Sequence, residues 1–177
     1  MSTPMKLRRF ALATAAALVV TVAASAAFAN GCPAGKTVAD GQGQQPGATK
    51  PVGVTDTILT SIDLAKEKVA LADHALRMRR LVIQPGGVVP WHSHGDQPAL
   101  IYIVQGQVTE YASDCAVPIP HKAGDWSRDA DIAHWWKNFG KPPAVLISVD
   151  IFHDQSDDNM YPPARLARAD PGKRIEP

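Results

Sequence analysis

Across positions 54–153 apolar residues come in short runs, and Gly, Pro, Asn or Asp breaks each run before a helix of ordinary length could form. Thr57-Ile58-Leu59, Leu76 to Gln84, Leu100 to Val104, Gln107 to Tyr111, His134 to Lys137 and Ala144 to Phe152 read as strands. Pro85-Gly86-Gly87, Gln105-Gly106, Ala123-Gly124-Asp125 and Gly140-Lys141-Pro142-Pro143 read as the turns between them. Only Ala65 to Ala72 carries a weak helical pattern. Many short strands at this spacing predict an all-β fold, an antiparallel sandwich or barrel. A chain of 177 residues has room for one such core plus tails.

The two ends differ from this core. Residues 1–29 read as a signal peptide: a basic start with Lys6, Arg8 and Arg9, an apolar stretch from Phe10 to about Val22, and the small-x-small sequence Ala27-Phe28-Ala29, predicting cleavage after Ala29. The apolar stretch is short for a membrane span, so no span is expected once the signal is removed. Arg8-Arg9 raises the twin-arginine route, but Phe10 follows the pair one place early, which favours the general secretory route. The expected location is periplasmic or secreted. Residues 30–53 are rich in Gly, Gln, Pro and Lys and predict a flexible arm; residues 154–177 predict a polar, flexible C-terminal tail. The barrel is expected over 54–153. Cys32 and Cys115 are disulfide candidates in an oxidising compartment, with two free thiols as the alternative.

Charge excludes one class of partner. The formal net charge is +1, and Lys6, Arg8 and Arg9 account for it: without them 15 basic and 17 acidic side chains remain. A mixed, near-neutral surface offers nothing for nucleic acid.

The chemistry concentrates in His92-Ser93-His94 and His134. Residues two apart on a strand face the same way, so His92 and His94 can point together into a barrel. A neighbouring strand can add His134. Imidazole nitrogen suits one divalent transition metal: Fe, Zn, Mn, Ni or Cu. Two packed core histidines are the plain alternative. His74, His121 and His153 fall outside this pattern and read as surface or hydrogen-bonded residues.

These residues resemble the cupin family. Gly86, then five residues, His92-x-His94 and Gly106 match its first motif; Gly124, His134 and Asn138 match its second, with one residue fewer between the Gly and the first of these His and Asn positions. The resemblance implies a single-domain, type-2-like cupin, a jelly-roll β-barrel, with His92, His94 and His134 as metal ligands. The chain departs from the family in two places. The metal-binding Glu of the first motif is replaced by Ala99, and the Pro and Gly of the second are missing around Ala130 to Ile132. Gln97 is the nearest amide that could act as a fourth ligand; Asp96 and Glu110 are weaker candidates.

Strand parity turns Ala99, Ile101 and Ile103 to one side, and alternation from His134 turns Trp136 inward. With Trp91 and Tyr102 near the histidines, these residues predict an apolar pocket for a small organic ligand, or ordinary core packing. Two function classes follow. One is an exported mononuclear-metal enzyme on a small organic substrate, dioxygenase-like, since three histidines leave coordination positions for substrate and O₂. The other is a non-catalytic periplasmic module binding a small ligand or a metal. Catalytic residues beyond the metal set are unassigned, and the resemblance also implies a homodimer paired through sheet edges.

Overall fold

The computed structural model describes residues 31–153. The signal segment, its cleavage point and the C-terminal tail expected from the sequence lie outside the described residues.

Eight antiparallel strands make one nearly closed barrel. They are β1 (Val52–Asp63), β2 (His74–Ser93), β3 (Ala99–Gln105), β4 (Gln107–Ala112), β5 (Ile119–Lys122), β6 (Trp126–Asp129), β7 (Ala133–Lys137) and β8 (Ala144–His153). Their order is β5-β4-β7-β2-β8-β3-β6, with β1 alongside β2. The weak helical pattern after position 64 shrinks to one 3₁₀ turn, Leu64–Lys66, capped by the Asp63 side chain. Among the described residues no helix is long and apolar enough to cross a membrane.

Pro85-Gly86-Gly87, expected to end a strand, instead bends β2 without breaking it. The first half of β2 pairs with β1 and β8, and the half after the bend pairs with β7. One long strand therefore serves both sides of the barrel. Asn138 secures the bend. Its amide donates to the carbonyls of Ile83 and Pro142, its Oδ1 accepts from Gly140 N–H, and its main chain bonds Gly86 and Gly87. Gly106 is a corner and not a hairpin, because β3 and β4 pair with different strands. Its φ is +77°, and a Cβ there would lie 2.7 Å from the Pro143 carbonyl oxygen, so glycine is required.

Side chains alternate in and out along each strand. Ile83, Ile101, Ile103, Val108, Trp136 and Leu146 belong to the main apolar cluster. The interior face is unusually polar elsewhere: Arg77, Arg79, Glu110, His121, Ser127, Asp129, His134, Ser148 and Asp150 are all buried. These groups are paired. Arg77 forms a fork with Asp150 (Nε to Oδ1 3.0 Å, a second nitrogen to Oδ2 2.8 Å), and Arg79 contacts Asp56 at 2.5 Å and Asp150 at 3.0 Å.

The N-terminal arm departs from the mobile segment that its composition predicts. Cys32 and Cys115 are joined in a disulfide, and Thr37 bridges Cys115. Val38, Gly43 and Gln44 donate main-chain hydrogen bonds to Asp114, Ser113 and Ala112, and Ala48 accepts one from Trp91. The arm is held by backbone pairing and the disulfide, with Cys32 its one member of a buried apolar cluster, which a hydrophobicity argument cannot register. Gly43 permits the approach, since a Cβ there would sit 2.5 Å from the Cys115 nitrogen.

Candidate metal centre

His92 lies near the end of β2 and is the direct ladder partner of His134 on β7. His94 follows just past β2, held by its N–H donating to Ile132 and by its carbonyl accepting from Asp131. Asp131 takes φ +58° in the loop where the family pattern has its Pro and Gly. Asp tolerates that left-handed conformation better than most residues. The result brings the Nε2 atoms of His92, His94 and His134 within 3.1 Å of one another, pair by pair.

Between neutral rings these contacts carry no hydrogen, because the other ring nitrogen of each has an acceptor of its own. Nδ1–H of His92 donates to the Pro90 carbonyl (2.8 Å), that of His94 to the Gln97 carbonyl (2.7 Å) and that of His134 to Glu110 Oε1 (2.6 Å). In its neutral form each ring therefore presents a bare Nε2 lone pair to the other two. Trp136 Nε1–H reaches His134 Nε2 from the side at 3.3 Å, and a cation between the three lone pairs would satisfy all of them at once. Nitrogens 3.1 Å apart match ligands that each stand about 2.0–2.1 Å from one ion. The donor set fits a divalent transition metal.

The field around the triad favours that cation. Burial, then the neighbouring histidines, push His92 far below its ordinary value; burial and His134 bring His94 to about 3. Burial would also lower His134, but the carboxylates of Asp129 and Glu110 outweigh it and raise the ring. Burial would raise Glu110, yet hydrogen bonds from His121 and His134 hold it at about 2, so it stays ionised. Glu110 is thus committed behind His134, with His121 Nε2 2.8 Å from its second oxygen. Burial raises Asp129 to about 6. Its Oδ1 accepts from Ser127 at 2.5 Å.

A cavity of about 30 Å³ opens beside the triad, lined by the three histidines with Arg79, Leu81, Val89, Ile101, Trp136, Leu146 and Ser148. Ile101 and Trp136 stand where strand parity predicts them. Ala99 and Ile103 are buried in the core but do not line the cavity. Tyr102 is a correction: it is 50% exposed, because alternation from Ile101 sends it outward. Trp91 also stays outside the lining, and its N–H bonds the arm. Gln97 is fully buried but contributes its main-chain carbonyl to His94, and its side chain is not part of the lining. Arg79, Asp129 and Ser148 are partners of the site that the sequence does not single out, and Glu110, there a weaker candidate for the fourth ligand, stands behind His134 instead. Their signal is a charged or hydroxyl residue at an inward strand position, visible only once the strand's facing is known.

Residues 79–150 match the family model described as the cupin domain. No curated protein matches the sequence significantly. Solved structures with similar chains include a predicted oxalate decarboxylase from Thermotoga maritima (22% identity, 60% of this chain and 94% of that one, TM-score 0.47). A Cupin 2 conserved barrel domain protein from Salinispora arenicola is 15% identical over 55% of this chain and 74% of that one, TM-score 0.41. Oxalate oxidase in complex with the substrate analogue glycolate is 20% identical over 57% of this chain and 52% of that one, TM-score 0.44. The family match falls on the strands that carry the histidine triad and Arg79, and this segment of the chain is a cupin domain of the type-2-like kind.

Proposed function

We propose that the protein is an exported, mononuclear-metal cupin enzyme acting on a small organic anion, with dioxygenase-like chemistry. The observation that carries the reading is the convergence of three bare Nε2 atoms on a cavity that also contains Arg79. His92, His94 and His134 would hold the ion. When bound, it supplies Lewis acidity and, if iron, a place for O₂ beside the substrate.

The chain's own residues do the rest. Glu110 accepts a charge-assisted hydrogen bond from His134 Nδ1–H, which fixes the ring and strengthens Nε2 as a metal ligand. Arg79 is the cation of the lining, and its Nε is buried without a hydrogen-bond partner among the described residues. A carboxylate or enolate oxygen would satisfy it. Leu81, Val89, Ile101, Leu146 and Trp136 keep the cavity dry. The cavity of about 30 Å³ has room for roughly two water-sized groups, so the substrate has few heavy atoms or the walls yield.

Export is proposed on the signal-like first 29 residues and on the Cys32–Cys115 disulfide, a bond that persists in oxidising compartments. Cell fractionation with processing mapped at the N-terminus tests it; an unprocessed cytoplasmic product contradicts it. Turnover is tested by O₂ uptake with iron-loaded protein across small hydroxy acids, keto acids and enols. Uptake that Arg79→Leu abolishes supports the reading. The second reading is a non-catalytic binding module, favoured by the small cavity. A small anion recovered tightly bound, with no O₂ uptake across that series, would establish it instead.

A further inference from the structure

Three buried carboxylates approach this part of the barrel interior: Glu110, Asp129 and Asp150. Glu110 spends its two oxygens on His134 and His121. Asp150 is held by Arg77 and Arg79. Asp129 is different. Its Oδ1 accepts from Ser127, but its Oδ2 has no hydrogen-bond partner among the described residues, although the residue is fully buried. A buried carboxylate oxygen left unpaired is costly, and a cation would relieve that cost. Oδ2 lies 3.9 Å from Nε2 of His134. Two atoms each about 2.1 Å from one ion can be no more than about 4.2 Å apart.

Ala99 faces Asp129 directly across the β3–β6 ladder, and directly opposed residues project to the same face. Ala99 carries only a methyl group at the position where the cupin pattern has its ligand, so no carboxylate from β3 competes there. Asp129 clusters with His134 and Glu110 and lies farther from His92 and His94, so joining the triad requires its carboxylate to turn toward them.

We infer that Asp129 supplies a carboxylate ligand to the three-histidine site, across the ladder from Ala99. The inference rests on the metal reading of the triad. It makes the centre a three-histidine, one-aspartate site in which β6 carries a ligand.

Cobalt(II) titration of the full chain tests it, read by affinity and by the visible absorption of the bound ion. Asp129→Ala is expected to weaken binding on the order of 100-fold, at the top of the range that loss of a supporting carboxylate produces, and to change the spectrum. Asp129→Asn keeps the size, guards against misfolding and should also weaken binding. Ser127→Ala, which removes the hydrogen bond to Oδ1, should weaken binding less than Asp129→Ala does. Ala99→Glu combined with Asp129→Ala should recover most of the affinity, whereas Ala99→Glu alone should add little, because Asp129 already fills that coordination position. Unchanged binding in a folded Asp129→Ala, or a loss that Ala99→Glu fails to recover, overturns the inference while the triad stands. Wild-type protein that binds no cobalt(II) overturns both.

Discussion

His134 has both ring nitrogens engaged, Nδ1 on Glu110 and Nε2 on the triad. Its partner is therefore the residue whose loss should be felt at the metal. Glu110→Gln keeps the shape but replaces a charged acceptor with a neutral amide. Metal affinity should fall roughly 10- to 100-fold, measured by chelator competition, with an affinity equal to wild type counting against the role. The three histidines were legible because their spacing survives in one dimension. Arg79 and the supporting role of Glu110, which the sequence offers only as a weaker candidate ligand, were not, because a lone charged residue on a strand normally faces water. What turns them inward is the parity of the strands, and their burial is tolerated only because each meets an opposite charge or a histidine.

At the scale of elements, the strands with apolar interior positions were readable from alternation, as in β3 and β8. Strands β5 and β6 were not, since their inward residues include His121, Ser127 and Asp129. In those segments the usual inside-out polarity is inverted to build the surroundings of the site. The bend in β2 looks like a turn in the sequence for a related reason: Pro and Gly signal a break, whereas Asn138 stitches the strand across it. Asn138→Ala would leave the Ile83 and Pro142 carbonyls and the Gly140 N–H without their side-chain partner. Stability should drop by about 3 kcal/mol, from the cost of unsatisfied buried groups, as read by urea unfolding. The triad's ligands come from β2 and β7 and the loop after β2, so metal affinity per folded molecule should change little. A variant as stable as wild type would show that the bend is held elsewhere.

For the whole molecule, the arm changes the architecture from a bare barrel to a barrel with a tethered strap. The disulfide spans a sequence separation of 83 residues. A loop of that length implies about 4 kcal/mol of stabilisation through the unfolded chain. The Cys32→Ser/Cys115→Ser variant should unfold at clearly lower urea than wild type, and an unchanged midpoint would contradict the arm's tethering role. The account as a whole depends on one ion shared by His92, His94 and His134. Metal analysis of purified wild-type protein beside His94→Ala addresses it most directly. The prediction is close to one transition-metal ion per wild-type chain and almost none in the folded variant; equal metal content in the two would contradict it.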